Sequence, residues 1–522
     1  MAISKNSIIK AFGLRGFTLR SKACHHILQL LKKPSNTFTL DTIIEKVELL
    51  LNDTGSPLVT LDVVKQALED AIDVEHAVNP LVIYNDNSNY LFYGSDTYCF
   101  KTVLLSNNCL FSDQSAFFNR FSEQFHILKR SLLNTGQVFR SSITSSNFST
   151  NIVPLSSIAT SHSNTTVTTL GLLVQTDTSW QLEDIAGKVQ LSFESPLPPS
   201  HGFFSEGCWV LVTGKWIGSS LCVEQMSLPP LASRSQVIHD LSAADRRTLL
   251  GINSIADEEH LEVMKSNIAA ENETIYIFSD VHLNVPSVVD RLISAFSTLE
   301  CGLAEDSLSP PRLIVLMGNF LKHEGDICSK QKELESALVS FGVQCSAFSQ
   351  LFSTSSLMFI PGPNDPLPDV LPRPSLPQPC QQAFTTAFGF PNVSFCPSPI
   401  RIRYYDKDIL FHRDDFVFQL CRDVVVQPEE CVSLGIHIAH TLASQRHLCP
   451  VSTQSRAIVW HQDSVLRLFP LPDVVVLGDS FAGDFVEVVG ESSWGNLPAF
   501  GETFSFVSVR PFESEKIGFH YI

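Results

Sequence analysis

The chain has 522 residues, of which 44% are hydrophobic and 17% are charged, and its formal net charge is −18 at pH 7. This length predicts about two to four domains. The negative charge argues against a protein that coats nucleic acid nonspecifically, because that affinity comes from neutralised phosphates. The 13 cysteines include no C-x-x-C pair. They predict neither a disulfide framework nor a zinc ribbon, and they favour a reducing compartment. No apolar run approaches the roughly 20 residues that a membrane span needs, and no secretory signal is expected.

The first 75 residues predict a helical domain with an unusual charge. Apolar residues such as Leu40, Ile44, Val47 and Leu51 recur at helical spacing. Residues 1–33 contain seven basic side chains and no acidic one. Such a run is typical of a solvated helix face, and it also suits a docking surface for an acidic partner.

Residues 76–164 predict a small mixed module followed by a linker. Tyr90–Tyr93 has the composition of a short strand, and residues 114–133 predict a helix with Phe117, Phe121 and Phe125 on one face. Residues 141–169 are rich in Ser, Thr and Asn, which is typical of a linker or mobile loop.

Residues 165–232 predict a barrel of the oligonucleotide/oligosaccharide-binding (OB) kind. Short strand patterns follow one another with polar or Gly turns between them. OB barrels often bind single strands through basic grooves and aromatic platforms. This segment holds two basic and six acidic residues, which makes a nucleic-acid groove unfavourable. Trp180, Trp209 and Trp216 are therefore expected in the core or at a protein interface.

Residues 233–522 predict an α/β domain. Continuous apolar runs, which are typical of strands buried on both faces, alternate with helical stretches. The runs include Ile275–Phe278, Leu313–Met317 and Ile436–Ala439. The segment Pro361–Pro379 holds eight prolines and predicts an extended loop.

Two of these predicted strands lead into short polar motifs. Ile275–Phe278 precedes Asp280 and His282, and Leu313–Met317 precedes Gly318 and Asn319. This arrangement resembles the calcineurin-like phosphoesterase fold, whose binuclear metal site begins with Asp-x-His and Gly-Asp at strand ends. A carboxylate shared by two cations holds them about 3.5–4 Å apart. The neutral amide of Asn319 cannot form that bridge, so the pattern predicts a former enzyme whose function lies in binding.

Two later motifs of that fold are also altered. Its Gly-Asn-His-Asp/Glu motif stands here as residues 362–365, GPND, and its Gly-His-x-His motif stands as residues 478–481, GDSF. By this resemblance, the histidine that would protonate the leaving group has become Asn364. We therefore predict no catalysis, no metal and no cofactor at a vestigial site formed by Asp280, His282, Asn319, Asn364, Asp365 and Asp479.

A second histidine pattern needs separate treatment. His437 and His440, followed by His447, have a spacing that ligates zinc on a helix. His437 lies in an apolar run that we interpret as a strand, and no acidic residue at ligand spacing accompanies it. Structural roles are favoured for these histidines. The chain has no G-x-S-x-G elbow, P-loop or G-x-G-x-x-G motif.

The order of these parts resembles the B-subunit family of replicative DNA polymerases, essentially from end to end. The pair P-G-P-x-D-P and L-P-R-P, at residues 361–366 and 371–374, is quite specific to that family. The motif F-x-L-R-G at residues 12–16 favours its epsilon branch. Further matching stretches are AFGLRG at 11–16, LEDIAGKVQL at 182–191, FHRDD at 411–415, SQRHL at 444–448 and PLPD at 470–473.

The resemblance implies a noncatalytic accessory subunit of the DNA polymerase epsilon complex, acting in the nucleus. It implies that the barrel and the phosphoesterase domain hold the C-terminal region of the catalytic subunit. It further implies that the N-terminal domain contacts the GINS part of the replicative helicase, and that small histone-fold subunits complete the complex. DNA would be contacted only within the assembly, and no membrane partner is implied.

Candidate helicase-docking residues lie in the basic N-terminus. They are Arg15 and Arg20 with the apolar side chains Phe12, Leu14 and Phe17, although Phe12 and Leu14 also suit a core position. Two other functions compete with this interpretation: a metal-dependent phosphodiesterase or nuclease, and a single-stranded DNA-binding module. Asn319 counts against the first, and the acidic barrel counts against the second.

Overall fold

A computed structural model provides the structure of the protein. It describes residues 5–15, 17–20, 22–24, 27–28, 44, 47, 58–59, 63, 81–84, 89–94, 99–104, 114–134, 138–139, 151–158, 165–176, 179–240, 274–305, 309–322, 325–422, 424–513 and 515–522. The chain divides into two compact units, Met1–Asn79 and Pro80–Ile522. Among the described helices, none combines the length and the apolar character that crossing a membrane requires.

The first unit contains a helix and a short parallel strand pair. Helix α1 spans Lys5–Leu14, and strand β1 (Thr18–Leu19) pairs with β2 (Leu58–Val59). The core of the unit includes Ile8, Phe12, Ile27, Ile44, Val47 and Val59. The helical domain expected over residues 1–75 therefore stays a prediction, since the described residues form one helix and a strand pair. Strands of two residues are too short to leave a periodic pattern in the sequence.

The first part of the second unit is built around a closed barrel. Its elements are β3 (Leu81–Tyr84), β4 (Asn89–Gly94), β5 (Cys99–Leu104), α2 (Gln114–Asn134), β6 (Val138–Phe139), β7 (Asn151–Ile152), α3 (Leu155–Ile158), β8 (Thr166–Gln175), β9 (Trp180–Glu183), β10 (Lys188–Ser192), β11 (Trp209–Ile217) and β12 (Ser220–Ser227). Strands β8, β9, β10, β12 and β11 pair in that order, and β11 pairs back with β8. This closure gives the barrel that the sequence predicts, with strands close to the expected positions.

Part of the predicted linker is ordered against this barrel. Strand β7 pairs with β8. The side chains of Val153, Leu155 and Ile158 are buried in the hydrophobic core that the barrel shares with the rest of the second unit. The Asp184 carboxylate also accepts a hydrogen bond from the backbone N–H of Leu155 at 3.1 Å. The linker interpretation is therefore wrong for residues 151–158, because a few apolar side chains suffice to anchor a polar segment. Residues 141–150 and 159–164 lie outside the described residues.

The rest of the second unit is an α/β structure with two sheets. Its elements are α4 (Arg234–Asp240), β13 (Ile275–Phe278), α5 (Pro286–Ala304), β14 (Leu313–Met317), α6 (Ile327–Cys345), α7 (Ser349–Thr354), β15 (Ser356–Ile360), α8 (Gln378–Phe388), β16 (Val393–Phe395), β17 (Ile400–Tyr404), β18 (Lys407–Arg413), α9 (Val417–Arg422), α10 (Leu434–Gln445), a 3₁₀ helix (Trp460–Leu466), β19 (Val474–Gly478), β20 (Phe485–Val489), β21 (Ser492–Asn496), α11 (Phe500–Thr503), β22 (Ser505–Val509) and β23 (Ile517–Tyr521).

The sheets place several strand ends together. One sheet has the strand order β16-β15-β14-β13-β22-β23, in which β13 to β16 are parallel. The other has the order β20-β21-β19-β18-β17-β3, in which β18, β19 and β21 are parallel. The polar motifs of the sequence lie in the loops that follow β13, β14, β15, β18 and β19. Parallel strands of one sheet end at the same edge, so the loops of each sheet lie side by side.

The predicted strand at Ile436–Ala439 is wrong, since these residues lie in helix α10. Ser433 caps this helix, accepting a hydrogen bond from the backbone N–H of Ile436 at 3.1 Å. Nearly every residue of α10 from Gly435 to Gln445 is buried, so the run lacks the polar face that would reveal a helical period. A short apolar run cannot distinguish a buried helix from a buried strand by periodicity alone.

Candidate functional site

The residues of the predicted vestigial site lie at the ends of the parallel strands. Asp280 follows β13, Asn319 follows β14, Asn364 and Asp365 follow β15, and Asp479 follows β19. Asp280 has a positive φ of 54°. Non-glycine residues in this region are uncommon, and such residues often cluster at functional sites. The five residues are largely buried, apart from the more accessible Asn364.

Asn319 connects two of the motifs through its side-chain amide. Its Nδ2 donates to Oδ1 of Asp280 at 2.9 Å, and its backbone N–H donates to the same oxygen at 3.1 Å. Its Oδ1 accepts a hydrogen bond from the backbone N–H of Asn364 at 2.7 Å. The structure therefore brings Asp280, Asn319 and Asn364 together as the motifs predict, with hydrogen bonds where a metal bridge would need a carboxylate.

The guanidinium of Arg413 completes this arrangement. Arg413 ends strand β18, and its Nη2 donates to Oδ1 of Asp280 at 2.8 Å. Its Nη1 donates to Oδ1 of Asp415 at 2.8 Å and to the Gly478 carbonyl at 2.7 Å, and its Nε donates to the Gly318 carbonyl at 2.8 Å. The buried Arg413 guanidinium thus holds the loops at the ends of β13, β14, β18 and β19 together through hydrogen bonds.

The charge of Arg413 is well compensated. Its side chain is fully buried. Burial alone would lower the pKa of the guanidinium, but the Asp280 and Asp415 carboxylates outweigh burial and raise that pKa above its ordinary value. Arg413 therefore stays charged, and Asp280 already has a cationic partner before any metal is considered.

Asp365 and Asp479 are engaged by backbone N–H groups. Asp365 accepts from Phe320 and Gly362, each at 2.8 Å, and burial raises the pKa of its carboxyl to about 6. Asp479 accepts from the backbone N–H groups of Phe416 and Val417 at 2.8 and 2.9 Å, where helix α9 begins. Burial raises its pKa as well. Both carboxylates serve as acceptors that fix loops.

His282 joins the predicted site through its backbone, which donates a hydrogen bond to the Asp280 carbonyl at 3.1 Å, whereas no described hydrogen bond links its imidazole to the other predicted residues. Its Nδ1 is buried without a partner in the described part of the chain. Burial lowers the pKa of the imidazole, which is therefore neutral near pH 7. A Cβ added to Gly501 would lie 2.3 Å from that Nδ1. The ring therefore packs directly against the backbone of α11.

The residues do not fit the two-metal centre that the phosphoesterase resemblance implies. Asn319 supplies an amide where a bridging carboxylate is required, and Arg413 binds the carboxylate of Asp280. Across the described ranges, no group of three or more His, Cys, Asp or Glu side chains has the geometry to hold a metal ion.

The second histidine pattern is structural where its contacts are described. His437 accepts a hydrogen bond from Gly202 through Nδ1 at 2.9 Å, and its Nε2 lies 3.0 Å from the Glu429 carbonyl. His447 lies with Nε2 3.1 Å from Oδ1 of Asp463. The His437 contacts join α10 to a barrel loop and to the segment before the helix, and the His447 contact joins the segment after α10 to the 3₁₀ helix.

Two family models match the chain. One, described as the B subunit of DNA polymerase alpha/epsilon, matches residues 275–485, and the other, described as DNA polymerase epsilon subunit 2-like, OB-fold domain, matches residues 114–230. The chain belongs to the B-subunit family of DNA polymerases. The second match confirms the OB fold and includes helix α2, which the sequence interpretation assigned to a separate module.

Curated relatives carry names from the epsilon branch of this family. The B subunit of DNA polymerase epsilon from Arabidopsis thaliana is 28% identical over 65% of this chain and 63% of its own length. The match therefore spans less than two thirds of that relative. The DNA polymerase epsilon subunit 2 of Homo sapiens is 26% identical over 91% of both chains. Among solved structures, a Thermus thermophilus protein aligns with 48% of this chain and 98% of its own, with 12% identity and a TM-score of 0.24.

Two stretches that carry the resemblance to the B-subunit family meet in the structure. Arg373 of the L-P-R-P motif donates to Oδ1 of Asp414 at 3.0 Å and to the Arg413 carbonyl at 3.2 Å. Arg456 donates to the same carboxylate at 2.6 and 3.0 Å. The F-H-R-D-D stretch is thus fixed from both sides, which positions the Arg413 side chain.

Arg413 is the site residue that sequence reasoning missed. The F-H-R-D-D stretch was noted for its resemblance alone, with no role for its arginine. Arg413 ends β18, which lies in the other sheet from β13, so no local pattern in the sequence indicates that its guanidinium reaches Asp280. The helicase-docking candidates differ in their exposure to solvent. Phe12 is fully buried, Phe17 is half-buried, and Arg15 and Arg20 are exposed. The side chain of Leu14 lies outside the described residues.

Proposed function

We propose that this chain is the noncatalytic second subunit of a DNA polymerase epsilon complex, acting in nuclear DNA replication. The observation that carries the proposal is the hydrogen-bonded contact of Arg413 and Asn319 with Asp280, because it gives a former metal ligand a structural role. Membership of the B-subunit family and the names of the relatives support the assignment to the epsilon branch.

The α/β part of the second unit is, on this proposal, an inactivated calcineurin-like phosphoesterase domain. The order of the altered motifs along the chain and their meeting at strand ends support this descent. The same geometry weighs against the phosphodiesterase alternative, because metal binding at Asp280 would have to displace a buried guanidinium. Such a displacement would leave a charge without its partner, which is costly.

The principal partner is, on this proposal, the C-terminal region of the catalytic subunit, held by the barrel and the α/β domain. The barrel core is continuous with that of the second sheet, which supports one body for this attachment. The single-stranded DNA alternative is disfavoured by the acidic barrel, and DNA contact is proposed only within the assembly. Small histone-fold subunits are proposed as further members of the complex.

The N-terminal unit is proposed to dock on the GINS part of the replicative helicase. Exposed Arg15 and Arg20 support an electrostatic role, and half-buried Phe17 supplies a nearby apolar surface. Phe12 is fully buried in the core of the unit, so it contributes to folding and is not a contact residue.

The test of the function is co-purification from dividing cells. The full chain carrying an affinity tag should recover the polymerase epsilon catalytic subunit in stoichiometric amounts. A truncation of that catalytic subunit lacking its C-terminal region should no longer be recovered. Recovery that does not depend on the C-terminal region would contradict the proposed attachment, and failure to recover any polymerase subunit would contradict the function.

A further inference from the structure

A cavity of about 610 Å³ lies between helix α2, the barrel and the segment that follows α10. We call it the α2–barrel groove. Phe117, Phe118 and Phe121 line it from α2, Leu172 and Trp209 line it from the barrel, and residues 449–454 contribute the third side. Its volume is within the range of pockets that bind ligands or side-chain clusters.

The α2 side of the groove is aromatic and packed. The ring of Phe117 lies edge-on to Phe121 with centroids 5.1 Å apart, and to Trp460 with centroids 4.9 Å apart. Phe118 and Ile185, which also line the groove, are 68% and 55% exposed. Exposed apolar side chains gathered around a concave surface mark an interaction site.

Two buried hydrogen-bond donors line the same groove without a partner in the described part of the chain. They are Nε1 of Trp209 and Nη1 of Arg120. Trp209 is 1% exposed and Arg120 is 5% exposed. Buried donors without partners are rare and costly. Both atoms are closed to solvent in this structure, so a ligand in the groove contacts the surrounding side chains rather than these donors.

The charge of the groove selects among peptides. Glu183, Asp184 and Glu206 line it, and none of these carboxylates has a salt-bridge partner among the ion pairs described. Arg120 is the one Lys or Arg in the described lining, and its Nε lies 2.6 Å from Oδ1 of Asp463. The groove therefore presents uncompensated negative charge around an apolar floor, and it favours a basic partner.

We propose that the α2–barrel groove binds a peptide segment of a partner protein that carries large apolar side chains flanked by Lys or Arg. The apolar side chains fill the space between Phe118 and Trp209, and the basic side chains pair with Glu183, Asp184 and Glu206. This assignment goes beyond the proposed function and does not depend on which protein supplies the segment.

The test uses the full chain and a phage-displayed library of short random peptides. Enriched peptides are synthesised and titrated by fluorescence anisotropy against the wild type, Phe118→Ala and the double variant Glu183→Lys/Glu206→Lys. Phe418→Ala and the double variant Glu305→Lys/Glu430→Lys repeat the same changes at exposed positions that do not line the groove. Thermal unfolding of every variant establishes that each one folds.

The proposal predicts enriched peptides with an apolar residue flanked by Lys or Arg. It also predicts that each groove variant weakens binding about tenfold or more, while the matched controls leave it unchanged. Enrichment without that pattern, or equal affinity for folded groove variants and wild type, would overturn it. A chain that self-associates without peptide and becomes monomeric on Phe118→Ala would show that a second copy fills the groove, which also overturns it.

Discussion

Nη2 of Arg413 lies 2.8 Å from Oδ1 of Asp280, although the two residues are 133 positions apart along the chain. The contact joins the end of β18 in one sheet to the end of β13 in the other. The Asp280 carboxylate thus has an internal cation as its partner. The buried Arg413 side chain fixes the strand-end loops around it.

Removing the Arg413 cation should destabilise the second unit strongly. Arg413→Met leaves the Asp280 and Asp415 carboxylates and two carbonyls without their donor, and breaking a buried ion pair costs about 3–5 kcal/mol. Equilibrium unfolding in urea measures the change. Arg510→Met serves as the control. Among the described residues its 41% exposed side chain pairs with the equally exposed Glu513, so its loss should cost about 1 kcal/mol or less.

A double variant separates the electrostatic contribution of the Arg413–Asp280 ion pair to stability from the packing contribution of the Arg413 side chain. Arg413→Met with Asp280→Asn removes the cation and one buried carboxylate charge together. The double variant should therefore be more stable than the sum of the two single changes predicts, because neither charge is left alone. Strictly additive losses would contradict a direct electrostatic role for the pair.

The close packing of the strand-end loops should make Gly318 intolerant of a side chain. A Cβ at Gly318 would lie 2.1 Å from Oδ2 of Asp365 and 2.4 Å from the backbone nitrogen of Gly362. Gly318→Ala should cost about 3 kcal/mol or more. Gly325→Ala is the matched control, since the nearest described atom to its Cβ would belong to Lys330 at 3.7 Å, and its effect should stay within about 0.5 kcal/mol. Equal unfolding free energies for the two variants would contradict this packing.

Burial of His412 predicts a loss of stability in acid. Burial lowers the pKa of its imidazole from 6.5 to about 4, so the unfolded chain binds the proton more tightly than the folded chain. The stability that neutral His412 contributes is fully present above pH 6.5, the pKa of histidine in the unfolded chain. It is lost as pH falls from 6.5 towards 4. Acidification from pH 7 to pH 5 should therefore cost about 2 kcal/mol through this group, and His412→Gln should remove that part of the slope.

Asp365 provides a control of opposite sign for the same titration. Its pKa is raised from 3.8 to about 6 by burial, so its protonation favours the folded chain as pH falls through 6. Asp365→Asn should therefore make the acid loss steeper, whereas His412→Gln makes it shallower. Unfolding free energies measured at several pH values distinguish the two. Parallel pH profiles for both variants would contradict these assignments.

Reversing the charge of the N-terminal unit should weaken helicase docking. Arg15→Glu with Arg20→Glu, both at exposed positions, should lower the affinity of the full chain for GINS about tenfold at low salt. The difference should shrink as salt rises, because surface charges are screened. Arg130→Glu with Lys332→Glu repeats the change at exposed positions of the second unit and should have no effect. Equal affinities for both pairs in biolayer interferometry would contradict the docking assignment.

The sequence predicted the barrel and the parallel strands well, because both leave regular patterns. The apolar runs at Ile275–Phe278 and Leu313–Met317 became β13 and β14 with matching bounds. The strand predicted at Ile436–Ala439 was wrong, because burial on nearly all sides of α10 removed the polar face that would indicate a helical period. The linker interpretation was wrong for residues 151–158, because these residues are ordered by contacts with the barrel. A polar composition does not indicate such contacts.

The sequence indicated part of the candidate site, but not the contacts that hold it together. Motif order along the chain placed Asp280, Asn319 and Asn364 together, and their hydrogen bonds agree with that. The role of Arg413 was out of reach, because it depends on how two sheets bring β18 next to β13. No local spacing encodes a contact between residues so far apart in sequence.

The most direct test of a structural role for this site is a phosphodiester hydrolysis assay. Full-length protein is incubated with Mn²⁺ and bis(p-nitrophenyl) phosphate, and release of nitrophenolate is followed over time. The account predicts no turnover above the metal-only background, because Arg413 and Asn319 engage Asp280 and no bridging carboxylate is present. Mn²⁺-dependent turnover by the wild type that disappears in a folded Asp280→Asn variant would contradict it.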